Sequence, residues 1–180
     1  MRVTRYQTIL SFIDTNDEKG LLEVITKFHP DARSKNRHTA LMYVAGSDKV
    51  KFARILLDSG AVVNAQNNDG NTALRIAYKN RSLCVFNLLL ERGADPCIKD
   101  AYNRSLLYDV VHHNDLECAK ILIDYGFEFP SYLTNNKKIL KLMRNSECHL
   151  LKILQRLAYK LSNKIDNFDF RALKGVWTYL

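Results

Sequence analysis

The sequence predicts an all-α fold, an α-solenoid of stacked helix-turn-helix units closed by a helical C-terminal cap. Three observations predict it. Landmark residues return every 33 positions, as in Thr39, Thr72 and Ser105, in Leu41, Leu74 and Leu107, and in Gly60, Gly93 and Gly126. Apolar residues fall at i, i+3 and i+4, as in Phe52, Ile55 and Leu56, which return as Val85, Leu88 and Leu89 and then as Cys118, Ile121 and Leu122. That spacing gives a helix one apolar face. Each glycine follows a final helical turn, where a residue with positive φ commonly closes a helix.

Taken in order, residues 1–36 read as a degenerate first repeat, with "TILSFI" and "GLLEVITKFHPDARSKN" as its apolar stretches. The intervening "DTNDEKG" imitates a calcium loop, but its glycine and its twelfth residue are misplaced, so it reads as an acidic turn before a helix. Residues 37–129 hold the central repeats. Each starts a short helix behind a hydroxyl suited to capping, at Thr39, Thr72 and Ser105, and continues into a longer helix and a loop. "NDG" at 68–70 signals a tight turn. Asn103 keeps a residue tolerant of left-handed geometry one period later, whereas Arg37 one period earlier predicts a different turn. Residues 130–162 read as a basic helical capping repeat, and 163–180 as a tail packing on or extending that cap. Terminal repeats of a stack are expected to be atypical, because one face meets water.

These residues resemble the ankyrin-repeat family, whose pattern runs D-G-x-T-P-L-H-x-A-A and then a helix and loop ending L-L-x-x-G-A-D-V-N. "TAL" at 39–41 and 72–74, "RILLDSGAVVNAQN" at 54–67 and "NLLLERGADP" at 87–96 carry the resemblance over the three central units. The divergent chain resembles the host-directed ankyrin proteins of large DNA viruses and intracellular bacteria. It departs from the pattern where the family places a histidine that braces the loop: Met42, Arg75 and Tyr108 stand there. Stability is therefore expected to rest on apolar stacking more than on a regular polar network between repeats, and Arg75 is expected to be released toward a partner.

Composition bounds the chemistry. The 180 residues are 47% hydrophobic, as in a folded chain, and contain no apolar run of the ~20 residues that span a bilayer. The N-terminus makes a poor secretory signal, so the expected compartment is the cytoplasm, or a host cell's cytoplasm or nucleus after delivery. Residues 1–129 hold 17 Lys+Arg against 16 Asp+Glu, whereas 130–180 hold 10 against 3, so positive charge concentrates in the C-terminal third. Cys84, Cys97, Cys118 and Cys148 lack the spacing of a zinc site or a disulfide framework and read as mostly buried thiols. His112, His113 and Cys118 do not stack on a helix, and the neighbours Cys148 and His149 point apart, so neither a metal site nor a nucleophile–base pair is expected. No phosphate loop or pair of converging carboxylates appears. The chain reads as a non-enzyme without cofactor or metal.

The resemblance implies a noncatalytic protein-binding module, an adaptor or inhibitor that uses the concave surface of loop tips and short helices. The partner-binding candidates are Asn68, Asp69, Asn71, Arg75, Lys79, Asn80, Tyr102, Arg104, Tyr108, His112 and His113. It also makes Asn64 a candidate for asparaginyl hydroxylation, beside a role bracing its turn. The alternative function is nucleic-acid or anionic-membrane binding through Lys137, Lys138, Lys141, Arg144, Lys152 and Arg156, which predict a basic face on the C-terminal helices. Trp177 offers an aromatic anchor in the tail.

Overall fold

The computed structural model describes residues 4–130 and 137–145. Among these residues it is all-helical, with a single isolated bridge between Arg33 and Thr39. The chain forms two compact units, Met1–Ala119 and Lys120–Leu180. The helices are α1 (Arg5–Asp14), α2 (Glu18–Lys27), α3 (Ala40–Gly46), α4 (Val50–Asp58), α5 (Ala73–Lys79), α6 (Leu83–Glu91), α7 (Leu106–His112), α8 (Leu116–Asp124) and α9 (Lys137–Asn145).

In the first unit each short helix begins the same way. The hydroxyls of Thr39, Thr72 and Ser105 accept from the backbone N–H of Met42, Arg75 and Tyr108, satisfying a donor the helix cannot pair internally. Thr4 does the same for α1 and forms a reciprocal capping box with Gln7. The caps expected at 39, 72 and 105 are thus present, and α1 begins as the short helices do.

Helix ends follow a second rule. Gly60 and Gly93 take φ of 87° and 83°, and the next residue's N–H reaches back to the last turn, Ala61 to Leu56 and Ala94 to Leu89. The short helices close likewise through Asp48, Arg81 and Asn114, with φ between 51° and 57°. There Lys49 donates to Val44, Ser82 to Ala77 and Asp115 to Val110. Asn16 closes α1 at φ 58°, with Asp17 donating to Phe12. Gly is not required at these positions, so the periodic left-handed residue escaped the sequence reading.

The loop tips correct one expectation. Arg37 takes φ 58°, beside 74° at Gly70 and 63° at Asn103, so the first turn does not differ. In all three the bonding is the same: Arg37 donates to Ser34, Gly70 to Asn67 and Asn103 to Asp100. The side chains of Ser34, Asn67 and Asp100, 33 residues apart, hold each turn from inside by accepting N–H groups of the tip. An arginine tolerates the strained φ because these bonds fix the turn around it.

Short helices pack on short helices and long on long, α1 with α3, α3 with α5 and α4 with α6. Ile9, Ile13, Leu21, Val44, Leu56, Val85, Phe86 and Leu89 are fully buried. Each such side chain is worth about 1.5–3 kcal/mol relative to exposure.

Polar ties add to this apolar stacking. Asp31 accepts from Val62 N–H at 3.1 Å, and Asn64, one period on, accepts from Asp95 N–H at 2.9 Å. Asp48 accepts from Val85 N–H at 3.0 Å. Arg81, one period after Asp48, pairs with Asp115 and, at 2.7 Å, with Glu117. Arg92 pairs with Asp58 at 2.6 Å. The repeats are stitched by polar contacts of irregular chemistry at regular places.

Candidate functional site

The position usually held by histidine shows how chemistry and burial part company. Arg75 lies in the first turn of α5, right after "TAL", and is 2% exposed. Its Nη1 donates to the Arg104 carbonyl at 2.6 Å, and its Nη2 donates to Asp109 Oδ2 at 2.5 Å and lies 3.1 Å from Asp100 Oδ2. Arg75 is therefore not released toward a partner. Its guanidinium ties α5 to the next tip and to α7, where a loop-bracing histidine would have reached less far. Its Nε is buried without a hydrogen-bond partner.

Asp100 is the hub of this cluster. Burial pushes its carboxyl up, but hydrogen bonds from the backbone and side chain of Arg104, the Arg75 charge and the Tyr102 N–H outweigh that and hold it below the ordinary aspartate value. Neither Asp100 nor Asp109 was among the site residues read from sequence. The available signal was an acid in α7, 34 residues after Arg75, at a place where α5 and α3 carry Ile76 and Tyr43.

The other candidates stand as follows. Asn68 and Asp69 are exposed at a tip, and half-buried Asn71 accepts from Lys79 Nζ at 3.1 Å. Lys79 and Asn80 are exposed at the end of α5, with the Asn80 amide donating to Ile76 of its own helix at 2.9 Å. Tyr102 is 75% exposed. The Arg104 guanidinium sits 4.9 Å from the Tyr102 ring centroid while its Nη2 donates to Asp100 Oδ2 at 3.0 Å. Half-buried Tyr108 stacks on exposed His112 at 5.7 Å, and His112 meets exposed His113 edge-on at 5.3 Å. The His113 Nδ1 lies 3.2 Å from the Tyr78 hydroxyl. Burial, with the nearby charges of Asp115 and Asp109, raises the Tyr78 pKa to about 12, so that hydroxyl stays protonated. The structure thus joins Tyr102 to Arg104 and Tyr108 to His112 and His113.

Asn64 does not brace its own turn as expected but reaches into the following repeat: beyond accepting from Asp95 N–H, its amide donates to the Gly93 carbonyl at 3.3 Å. On α9, Lys137, Lys138 and Lys141 are exposed and Ile139 is buried. The Arg144 side chain, Lys152, Arg156, Cys148 and Trp177 lie outside the described residues. The cysteines need a correction, since Cys84 and Cys97 are exposed and Cys118 alone of the described three is buried. Each exposed one falls where the repeat does not need an apolar contact. Among the described residues no helix is long and apolar enough to cross a membrane.

A family model described as ankyrin repeats (3 copies) matches residues 14–100. Three similar curated proteins carry the same repeat in their names. Ankyrin repeat domain-containing protein SAT10 of Stachybotrys chartarum is 35% identical over 130 residues, 67% of this chain and 7% of the relative. Ankyrin repeat and KH domain-containing protein mask-1 of Caenorhabditis elegans is 29% identical over 113 residues, 63% of this chain and 4% of the relative. Ankyrin repeat protein OPG189 of vaccinia virus is 26% identical over 181 residues, 77% of this chain and 32% of the relative. The chain spans at most 32% of the length of these relatives.

Proposed function

Because residues 14–100 make the chain a member of the ankyrin-repeat family, we propose that it is a noncatalytic adaptor or inhibitor that binds one partner protein through its loop tips and short helices. Ankyrin repeats are in general protein-interaction modules, and the proposal concerns which surface is used and how. The observation that carries it is the Tyr102–Arg104 pair. Tyr102 is 75% exposed, yet the arginine over its ring is anchored to the buried carboxylate of Asp100. An exposed aromatic held in place loses little freedom on binding, and tyrosine and arginine are common anchors of interfaces. His112, stacked on Tyr108, and His113 extend the surface at the end of α7. Arg75 takes no part in it. The likeness to the vaccinia virus ankyrin repeat protein over 77% of the chain supports reading the partner as a host protein.

Quantitative affinity capture tests this, comparing wild type with a Tyr102→Ala/His112→Ala/His113→Ala variant of unchanged melting temperature. The expected result is selective loss of one or a few partners. Equal recovery of every partner by both proteins would remove this surface from consideration.

A further inference from the structure

The loop tips of the first unit border an open polar groove of about 410 Å³ to one side of the Tyr102–His112 surface. Its lining includes Arg33, Arg37, Gln66, Gly70, Lys99 and Asp100. Arg33, Gln66 and Lys99 are 33 residues apart, so they occupy one equivalent place on three successive tips.

The groove is built rather than incidental. Backbone bonds tie the tips to one another, from Asn68 N–H to the Asn36 carbonyl at 3.1 Å and from Ala101 N–H to the Asp69 carbonyl at 3.0 Å. The Gln66 amide donates to the carbonyls of Gly70 at 2.8 Å and Lys99 at 2.9 Å, while Arg33 Nη1 reaches the Gln66 carbonyl at 3.4 Å. At Gly70 a Cβ would come within 2.7 Å of Ala101 N and 2.8 Å of the Asp100 Cα, so at this point adjoining tips meet backbone to backbone.

Its charge is unbalanced. Arg33, Arg37 and Lys99 are exposed, and none of them pairs with a carboxylate among the described residues. The acid in the lining, Asp100, is already committed: Oδ1 accepts from Tyr102 and Arg104 N–H, and Oδ2 faces the Arg104 and Arg75 guanidinium groups. Three cations therefore converge on one groove without a counter-charge. Arginine forks match carboxylate and phosphate oxygens with two parallel bonds, and a wall of one sign concentrates anions.

We propose that this groove binds an anionic side chain, phosphorylated or carboxylate, presented by a peptide segment. A peptide is favoured over a polyanion because residues 1–129 are near neutral, with 17 Lys+Arg against 16 Asp+Glu, so the repeats lack the net positive charge that draws a nucleic-acid backbone. The groove shares Asp100 with the Tyr102 surface, but its cations Arg33, Arg37 and Lys99 lie outside that surface, so the site would stand if that surface bound nothing.

The test is an amide-resolved NMR titration of the full chain. The probes are a short phosphoserine peptide, its glutamate and unmodified serine counterparts, inorganic phosphate and an oligothymidylate. Saturable shifts confined to residues 33–37, 66–70 and 99–101 are expected with the phosphoserine peptide, the glutamate peptide or both. The stronger of the two identifies the anion. Arg37→Asn with Lys99→Ala should weaken that binding about tenfold or more at unchanged melting temperature. Asparagine keeps the left-handed backbone that Arg37 adopts at φ 58°. Several results would overturn the proposal: no saturable shift with either anionic peptide, equal shifts with the serine peptide, binding of phosphate alone, tighter binding of the oligonucleotide at the same amides, or undiminished binding by the double variant.

Discussion

Arg75 Nη2 donates to Asp109 Oδ2 at 2.5 Å, across 34 residues of sequence and from the start of α5 to the middle of α7. With Asp100 and Arg104 it forms a network of balanced charge, in which the Arg75 side chain is 2% exposed. Such networks hold only as wholes, because removing one member leaves another charge buried and unpaired.

Arg75→Met should therefore destabilise the protein by about 3 kcal/mol, although methionine fits the volume and Met42 fills the equivalent place one period earlier. Asp109 is the group left without its partner, since Asp100 keeps Arg104. Urea denaturation of wild type, Arg75→Met and Arg75→Met/Asp109→Leu checks this, with the double variant recovering part of the loss.

The same network sets an acid limit. The folded-state pKa of Asp100 lies below its unfolded value, so between the two the unfolded chain binds more protons and stability rises with pH. The Asp100 contribution is complete above the ordinary aspartate value of about 3.9 and is lost as pH falls through the lower folded value. The stability gap between wild type and Asp100→Asn should accordingly close on acidification below about pH 4, followed by denaturation at a series of pH values. A gap of constant size would assign the effect to shape instead of charge.

Two glycines separate backbone conformation from close approach. Gly60 has φ 87° and open space where a Cβ would go, whereas Gly70 has φ 74° and would place that Cβ against Asp100 and Ala101. Gly60→Ala should cost about 1 kcal/mol from the left-handed backbone alone. Gly70→Ala should cost clearly more, because its neighbours are backbone atoms held by the Asn67 and Asp100 side chains. Thermal unfolding of the two variants gives the comparison.

Thiol reactivity should divide with burial. Burial, with Asp115 close by, pushes the Cys118 thiol up to about 12, so little thiolate forms there at neutral pH. Alkylation mapped by mass spectrometry should label exposed Cys84 and Cys97 in the folded protein and Cys118 only on unfolding.

How much of this could be read from sequence depended on how far each interaction reaches. Thr39, Thr72 and Ser105 act within their own first turn, and Gly60 and Gly93 close their own helices, so period and residue type sufficed. The left-handed residues Asp48, Arg81 and Asn114 were missed because three unlike residues meet one backbone demand. Arg37 was misjudged because the bonds that hold its turn come from Ser34 and its neighbours, not from the arginine. Arg75 was misplaced because its exposure is decided by Asp100 and Asp109 in the following repeat, and no local pattern couples residues 25 and 34 apart. Tyr102 was legible as a tip residue, but its anchoring through Arg104 to Asp100 was not.

If α5 and α7 keep stability and recognition in separate side chains, the most direct measurement is partner recovery per folded molecule, set beside unfolding free energy in two variants. Arg75→Met should lose stability and keep recovery at a temperature where it remains folded. Tyr102→Ala/His112→Ala/His113→Ala should keep stability and lose recovery by about tenfold or more. Loss of recovery by folded Arg75→Met, with full recovery by the triple variant, would contradict the division of labour on which this reading rests.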